Sequence, residues 1–481
     1  MRTMRAVIGA ALLLAWPAVL AAQGYTAEVS VSSSWVELRG LVRDSLPEAA
    51  VPGEGTVRRL EDGTVVTCIA GAFCHWYPSG PEESVSLVTQ DLRISAWPGI
   101  RGVAAHAHLR GRYGSDGFWP RSDQEIEALY AYVSWERSDF RVRAGRQFRT
   151  NGLGYYNFDG ASVLWRGLEP LRIDVYGGWS LARNLNAPRT GSLLESADEF
   201  APDDRGLLVG VDVTGRWRNV ATGTFTYQRE IRGDELALYS ERVAGGIGAR
   251  WHQASVEVSA DYDLAFGEIN EASARIASPL PAGFDAGAQV RRYQPHFELW
   301  TIWGAFSPVG FDETRLWLGW RYPRLHLRLE GGGAWRRYED ADAGADFVGL
   351  EDDGWRAFGR ARWERSGWFA DLGYRAEEGS GAARYGGDLR AGRDFGAGRW
   401  VAAHATSSQS FSEFRLGEQL TAGVGIDGAF RLGELTLTGG WARYGLSYEG
   451  QPRVEDWIQH RAHLGVRYRL GTEPAGGGGA R

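Results

Sequence analysis

Apolar and polar residues alternate along most of this chain from Tyr25 onward. In the segment Asp456–Leu470, one set of alternate positions is mostly apolar and the other set carries three arginines. A β-strand turns successive side chains to opposite sides, so this segment has one apolar face and one cationic face. Segments 254–264, 325–330 and 356–364 show the same two-sided pattern. The pattern predicts an all-β protein whose strands separate an apolar environment from a charged one.

The connections between the predicted strands are alternately short and long. Short turns are rich in Gly, Pro, Asn or Asp, as hairpins require. Examples of the short turns are 98–99, 323–324 and 365–367, and the longer connections include 115–124, 183–204, 339–354 and 445–455. We count about 22 strands, with a range of 18–22, because Glu268–Ser278 alternates weakly. An even strand number with loops of unequal length at the two ends is typical of bacterial transmembrane barrels.

A soluble sandwich would also alternate, but its exposed faces rarely carry so many aromatic residues at strand ends. Here the aromatic residues lie within a few positions of the predicted turns, where the girdles of a membrane barrel belong. They are Trp135, Trp165, Trp179, Trp251, Tyr322, Trp363 and Trp368. No blade-length repeat indicates a propeller. We therefore predict a single transmembrane antiparallel up-and-down β-barrel.

Composition agrees with a barrel and excludes several other classes. Hydrophobic residues make up 43% of the chain and its mean hydropathy is −0.32, so it does not resemble a helical membrane protein. Only alternate residues of a barrel face lipid, so a polar average is no objection to a membrane location. The chain has 66 Gly and 21 Trp, and all of its Lys+Arg residues are arginine. Its net charge of −7 argues against a nucleic-acid partner.

The chain divides into a leader, a barrel and a tail. Residues 1–22 carry two arginines, an apolar run and a small-residue site, which predicts a secretory signal peptide. Residues 23–470 are the predicted barrel, and residues 471–481 are a predicted disordered Gly-rich tail. Residues 43–83 are predicted to form a long extracellular loop.

Both cysteines of the chain, Cys68 and Cys74, lie in that loop. Their spacing suits a disulfide that closes a small loop in an oxidising compartment. The alternative, a metal or redox pair, lacks nearby His or acidic partners, so no metal site is predicted here.

The end of the last predicted strand reads His463-x-Gly465-x-x-Tyr468-x-Leu470. This motif resembles the closing strand that Gram-negative outer-membrane β-barrels present to the barrel assembly machinery, although leucine replaces the usual final aromatic residue. The resemblance implies that these four residues form an assembly signal. It also implies that the protein lies in the outer membrane, in contact with its lipid.

A second motif combines Gly145-Arg146-Gln147 with Phe158-Asp159-Gly160. It is similar to a pattern of porin and alginate-export-type barrels, in which lumen arginines and carboxylates select the permeant. The resemblance implies that Arg141, Arg143, Arg146 and Asp159 are selectivity candidates. Structural ion pairs across the strands are the alternative for these residues.

Arginine dominates the predicted lumen face, and carboxylates are interleaved with it. Further selectivity candidates are Arg328, Arg356, Arg360, Arg362, Arg461, Arg467 and Arg469. Arginine keeps its charge in a confined pore, and rings of arginine favour anions. The alternative is a mutually neutralising ladder that stiffens the wall. A barrel this wide encloses water unless something fills it, and the loops 43–83 and 183–204 are the predicted constrictions.

No linear motif for catalysis or for a cofactor stands out. His106 and His108 point the same way on one predicted strand, but two polar lumen residues are a better interpretation than a metal pair. The acidic clusters at 195–204 and 339–353 match no complete calcium loop. The sequence thus predicts a non-enzymatic, porin-like channel for small hydrophilic, anionic solutes. The alternatives are a barrel that anchors or sheathes a partner protein, and an outer-membrane hydrolase.

Overall fold

Alternating apolar and polar residues form long antiparallel strands in the computed structural model. It describes residues 24–69, 72–114, 126–182, 206–218, 220–232, 237–265, 267–294, 310–338, 352–379, 383–411, 418–449 and 452–472. The predicted signal peptide and residues 473–481 of the predicted tail lie outside these ranges. Among the described residues, no helix has the length and apolar character needed to cross a bilayer.

The strands are β1 (Gly24–Leu41), β2 (Asp44–Pro47), β3 (Val57–Arg59), β4 (Val65–Cys68), β5 (Phe73–Trp76), β6 (Ser79–Trp97), β7 (Val103–Gly114), β8 (Ile126–Glu136), β9 (Phe140–Asn151), β10 (Gly154–Leu168), β11 (Leu171–Ala182), β12 (Leu207–Trp217), β13 (Ala221–Arg232), β14 (Ala237–Trp251), β15 (Ala254–Asp263), β16 (Glu268–Pro279), β17 (Phe284–Tyr293), β18 (Phe311–Tyr322), β19 (Leu327–Tyr338), β20 (Asp353–Arg365), β21 (Trp368–Glu378), β22 (Ala383–Gly396), β23 (Arg399–Phe411), β24 (Glu418–Leu432), β25 (Leu435–Glu449) and β26 (Trp457–Thr472). Three single turns of 3-10 helix, at Glu48–Ala50, Pro281–Gly283 and Pro323–Leu325, complete the elements of the described residues.

Twenty-two of these strands form one closed ring. Strands β6 to β26 each pair with the next strand along the chain, and β1 pairs with both β6 and β26. Every pairing in the ring is antiparallel. The predicted up-and-down barrel and its strand number are confirmed, including the weakly alternating segment that forms β16.

The closing strand β26 has the two faces that its sequence predicted. Tyr468 and Leu470 are exposed on the outer face, whereas His463 and Gly465 lie on the inner face. The strand continues through Gly471 to Thr472, which pairs with Tyr25 of β1. Recognition of this strand by the assembly machinery stays a prediction.

The short turns reach the backbone conformations that tight hairpins need. At the β20–β21 turn, Ser366 and Gly367 have φ of 51° and 81°. Two consecutive positive φ values are typical of a type I′ turn, whose twist matches that of the flanking strands. A Cβ atom on Gly367 would lie 2.4 Å from the carbonyl oxygen of Asp394, so glycine is required there.

The outer face of the ring is an apolar band with aromatic edges. Leu316 and Leu464 are 61% and 62% exposed on this face. On β20, Trp355 and Trp363 lie eight positions apart and mark the two edges of the band. Eight residues cover about 27 Å of strand, or roughly 20 Å of height at the usual tilt, which is close to the thickness of a membrane barrel's apolar band.

Strands β2, β5, β4 and β3, inside the segment predicted as an extracellular loop, form a small four-stranded sheet. Its core contains Val66, Trp76 and the disulfide between Cys68 and Cys74. Arg453, which precedes β26, pairs with Asp62 at 2.8 Å and lies 5.0 Å from the Trp76 ring centroid. The small sheet is therefore docked on the rim of the barrel. After it, the chain returns to the barrel wall as β6, which begins at Ser79.

Candidate functional site: the barrel lumen

The lumen face follows from register, because residues that oppose each other on neighbouring strands share a face. Arg328, Arg356, Arg360, Arg362, Arg461, Arg467 and Arg469 all alternate with lipid-facing residues and therefore face the lumen. Arg141 and Arg143 also face the lumen, opposite Glu136 and Ser134 of β8. The structure thus brings the predicted lumen arginines to the inner wall.

Arg146 and Asp159 stand at the alternate positions that face outward in the rest of their strands. They reach the lumen only because the hairpin that carries them bends from the wall into the lumen. We call residues 146–159, at the adjoining ends of β9 and β10, the inward hairpin. Its tip residue Leu153 is 2% exposed and packs in one cluster with Leu208 and Ala244. Ala244 lies on β14, four strands from β10, which is about 19 Å along the wall. The tip therefore crosses the lumen face of β11 to β14.

Glycines at the base of the inward hairpin allow this bend. Gly145 has a φ of 124° in the middle of β9. A Cβ atom on Gly160 of β10 would lie 2.0 Å from the Gly177 carbonyl oxygen and 2.6 Å from Gly178 Cα. Side chains larger than hydrogen would push β10 away from β11 at this point. The bend is therefore encoded locally by glycine.

The face of the inward hairpin that is turned toward β11 to β14, which we call its underside, is joined to the wall by polar contacts. Arg149 Nη2 donates to Asp174 Oδ1 at 2.6 Å. The Asn151 amide donates to Tyr176 Oη at 3.2 Å and to Asp212 Oδ1 at 3.1 Å. These groups are largely buried, and a buried charge that lost its partner would cost several kcal/mol. The underside is therefore a structural interface.

Arg242 of β14 completes that interface. Its side chain is 3% exposed, and it forms an ion pair with Asp261 of β15. Its Nη1 also lies 3.5 Å from the Leu153 carbonyl oxygen and 3.4 Å from Tyr156 Oη. This single guanidinium links the wall to the hairpin tip.

The upper side of the inward hairpin faces the remaining lumen. Arg146 and Asp159 form a bidentate pair at 2.8 and 3.0 Å. Beside them, the Phe148 ring stacks on Tyr155 and also contacts Tyr130 of β8, each with 5.8 Å between ring centroids. The hairpin presents a paired charge and an aromatic cluster to the lumen. Sequence reasoning placed the constriction in other loops, of which residues 183–204 lie outside the described residues.

The two lumen histidines have separate partners. His106 lies 2.9 Å from Ser95 Oγ and 3.5 Å from Ser134 Oγ, whereas His108 contacts Asp91 Oδ1 at 2.7 Å. The serines and the carboxylate thus contact different imidazoles, so these residues do not form a Ser-His-Asp triad. No group of three metal-binding side chains occurs within the described ranges.

Strands β18 to β20 carry three lumen arginines at one level, which we call the arginine row: Arg321, Arg328 and Arg362. Arg328 is the cross-strand neighbour of both other members. Like charges directly opposite each other destabilise a sheet by roughly 0.2–1 kcal/mol. Two of the three contact a carboxylate two positions along their own strand: Arg328 Nη2 lies 3.3 Å from Glu330, and Arg362 pairs with Glu364. On β18 to β20 this level therefore carries three cations and no carboxylate.

The row continues onto β21 and β22. Asp371 and Arg390 follow Arg362 in register. Asp371 accepts a bidentate bond from Arg360 at 2.8 and 2.6 Å. The side chains of Arg360 and Arg362 are 58% and 55% exposed, so both present their guanidinium groups to lumen water.

Other arginines predicted as selectivity candidates are held by contacts with neighbouring side chains. Arg356 and Arg336 both bind Glu313, which is 1% exposed, so Arg356 belongs to a buried network. Arg461 Nε donates to Gln459 Oε1 at 2.6 Å, and its guanidinium carbon lies 4.8 Å from the Tyr444 ring centroid. Arg143 covers the Tyr132 ring at 5.0 Å. These contacts indicate a structural contribution.

A second exposed cluster surrounds Glu28 of β1. Arg93, Arg467 and Arg469 lie 3.1, 3.7 and 2.7 Å from this one carboxylate. Three cations around one anion leave a local excess of positive charge at the end of the barrel that carries the short turns.

Comparison with known proteins finds solved structures of low sequence identity. No protein-family model and no curated protein matches the chain. The chain is similar to OccK8 (OprE) of Pseudomonas aeruginosa, with 11% identity over 93% of this chain and 98% of that one, and a TM-score of 0.38. OccAB4 of Acinetobacter baumannii shows 10% identity over 93% and 98%, with a TM-score of 0.40. A BenF-like porin from Pseudomonas fluorescens Pf-5 shows 9% identity over 93% and 99%, also at 0.40. Likeness at this level assigns no function to the chain.

Proposed function

We propose that this protein is a channel of the Gram-negative outer membrane through which small hydrophilic anions diffuse. A ring of 22 strands at the usual tilt has a diameter of roughly 40 Å, which is too wide for wall side chains alone to fill. The inward hairpin narrows this lumen, and solutes pass between its upper side and the opposite wall.

The arginine row is the observation that carries the anion preference. Three guanidinium groups at one level repel one another, and they hydrogen-bond to planar anions in a bidentate manner. Rings of cationic side chains select anions in other pores. The positive cluster around Glu28 extends the same field toward the short-turn end.

The experiment is a reversal-potential measurement in planar bilayers across a KCl gradient. We expect open channels with a chloride-to-potassium permeability ratio above one. The double substitution Arg328→Gln with Arg362→Gln removes two positive charges at one level, so the ratio should fall toward one or below it. Single-channel conductance in the same records checks that the pore itself is intact.

Arg337→Gln is the matched control, because Arg337 lies on the same strand as Arg328 but faces outward. It should leave the ratio unchanged. Equal shifts in both variants would contradict selection by the row. A silent barrel that purifies with a second chain would instead support a sheathing role, and lipid hydrolysis abolished by Ser95→Ala would support a hydrolase.

A further inference from the structure

The lipid face of strands β23 to β26 contains an apolar depression that transport through the lumen does not explain. We call it the lipid-face groove. Its floor consists of Gly428 and Gly439, which are cross-strand neighbours. Its volume is about 930 Å³, and its outward-facing walls include Val401, Ile426, Trp441 and Leu464.

The groove exists because two glycines stand side by side among bulky neighbours. Ile426 and Trp441, two positions from the respective glycines, are 51% and 44% exposed and project from the same face. Gly428 and Gly439 have no side chain to fill the space between them. A barrel surface is otherwise convex, so the missing side chains create a local concavity in contact with hydrocarbon.

The end of the groove near the short turns is cationic. Arg399 lines it there, next to Phe395. Arg399 is exposed, and its Nε donates to the Gly396 carbonyl oxygen at 3.4 Å. Nearby, Arg393 is held with its guanidinium 5.1 Å from the ring centroids of both Trp368 and Phe395. Aromatic residues of this kind mark the membrane–water interface. The two arginines therefore lie at headgroup level.

We infer that the groove binds a phospholipid of the membrane leaflet on the short-turn side. One acyl chain lies over Gly428 and Gly439, and the phosphate pairs with Arg399, with Arg393 beside it. Arginine binds phosphate by charge-assisted, bidentate hydrogen bonds. The site concerns the outer face only, so it is independent of what passes through the lumen.

The shape and charge of the groove favour a lipid over a second copy of the barrel. The convex apolar face of another barrel would rest on the walls and leave the glycine floor empty, whereas a flexible acyl chain reaches it. The cations at one end complement a phosphate, and the outer face of a second copy is apolar at the depth of the floor. A lipid thus satisfies both ends of the groove.

The test is native mass spectrometry of the full barrel in detergent, titrated with dioleoyl-phosphatidylethanolamine. We expect one tightly retained lipid on the wild type. Gly439→Leu fills the floor without backbone strain, since a Cβ atom there meets only ordinary contacts at 3.5 Å or more. This variant should bind the lipid at least about tenfold more weakly, and Arg399→Gln should weaken binding to a smaller extent.

Gly359→Leu is the matched control. Gly359 also faces lipid, on β20, and a Cβ atom there has no atom within 4 Å. It should retain the lipid as the wild type does. If Gly439→Leu does not fold, Leu464→Ala removes a wall without touching the floor and should likewise weaken binding. Equal retention by all variants would overturn the inference, and so would wild-type dimers that Gly439→Leu converts to monomers.

Discussion

The two halves of the lumen wall use arginine in opposite ways. Under the inward hairpin, Arg149 and Arg242 are buried, and each is paired with a carboxylate of the neighbouring wall. On β18 to β20, Arg321, Arg328 and Arg362 are cross-strand neighbours of like charge, and Arg328 and Arg362 contact carboxylates while about half exposed to water. The difference lies in what covers the wall, because a guanidinium that is sealed from solvent must be paired whereas a hydrated one need not be.

This contrast separates two interpretations that the sequence left open. Buried, ion-paired arginines of the predicted ladder and exposed arginines, which we propose line the path of the anions, both occur in one barrel. Arg356 belongs to the ladder through Glu313, although it lies only four positions from the exposed Arg360 on the same strand. Function therefore has to be assigned arginine by arginine, from burial and partners.

The strongest test of the contrast removes one arginine from each side. Arg242→Leu leaves Asp261 buried without its cation, so the free energy of unfolding should fall by roughly 3–5 kcal/mol. Arg360→Leu breaks an exposed pair with Asp371 and should cost about 1 kcal/mol or less. Urea unfolding of the refolded barrel in vesicles measures both. Equal losses would show that burial does not distinguish the two halves.

A second test uncovers the buried half. Gly160→Val adds a side chain where β10 and β11 approach closely, so the inward hairpin should detach from the wall. The single-channel conductance should then rise by about twofold, because the hairpin no longer narrows the lumen. Gly359→Val, at an open position on the outer face, is the control and should leave conductance unchanged. A Gly160→Val channel with wild-type conductance would show that the hairpin is not the constriction.

The smallest effect concerns the small sheet at the rim, whose ion pair is exposed like those of the open wall. The nearby Thr64 side chain, the Thr64 backbone N–H, which donates to Asp62 Oδ1 at 2.9 Å, and then Arg453 lower the pKa of Asp62 from 3.8 to about 2. A lowered folded-state pKa means that the contribution of Asp62 to docking is present above about pH 4 and lost as pH falls toward 2.

Thr64→Val removes the hydroxyl and keeps the backbone N–H, and it should raise the pKa of Asp62 more than Arg453→Gln does, because the Thr64 side chain is the largest single cause. Carbon-13 NMR titration of the aspartate carboxylates in micelles measures both shifts. A larger shift in the Arg453 variant would indicate that the salt bridge, rather than the local turn, sets this pKa.

The sequence predicted the strands and their faces because alternation is a local signal. The lumen positions of Arg328, Arg360 and Arg467 follow from the alternation of side chains along each strand. The inward hairpin could not be predicted in this way, since the same alternation assigns Arg146 and Asp159 to the lipid side. The available signal was the density of glycine from Gly145 to Gly160, which marks a bend but not its direction.

Burial of individual arginines was beyond sequence reasoning for a different reason. The pair formed by Arg356 and Glu313 joins residues 43 positions apart, and its burial depends on Arg336 and Glu377 as well. Such contacts depend on which side chains meet across strands, and alternation does not specify them. The small sheet formed by β2 to β5 was missed because its strands are only three or four residues long.

The pairing of β1 with β26 has a kinetic consequence. The seam joins residues more than 400 positions apart, such as Glu28 and Arg469. Contacts between such distant parts of a chain form slowly, because the intervening segment must first be ordered. One edge of β1 therefore lacks its hydrogen-bonding partner until β26 has been synthesised. An exposed edge of this kind invites pairing with foreign strands, so the nascent chain needs protection until the ring is sealed.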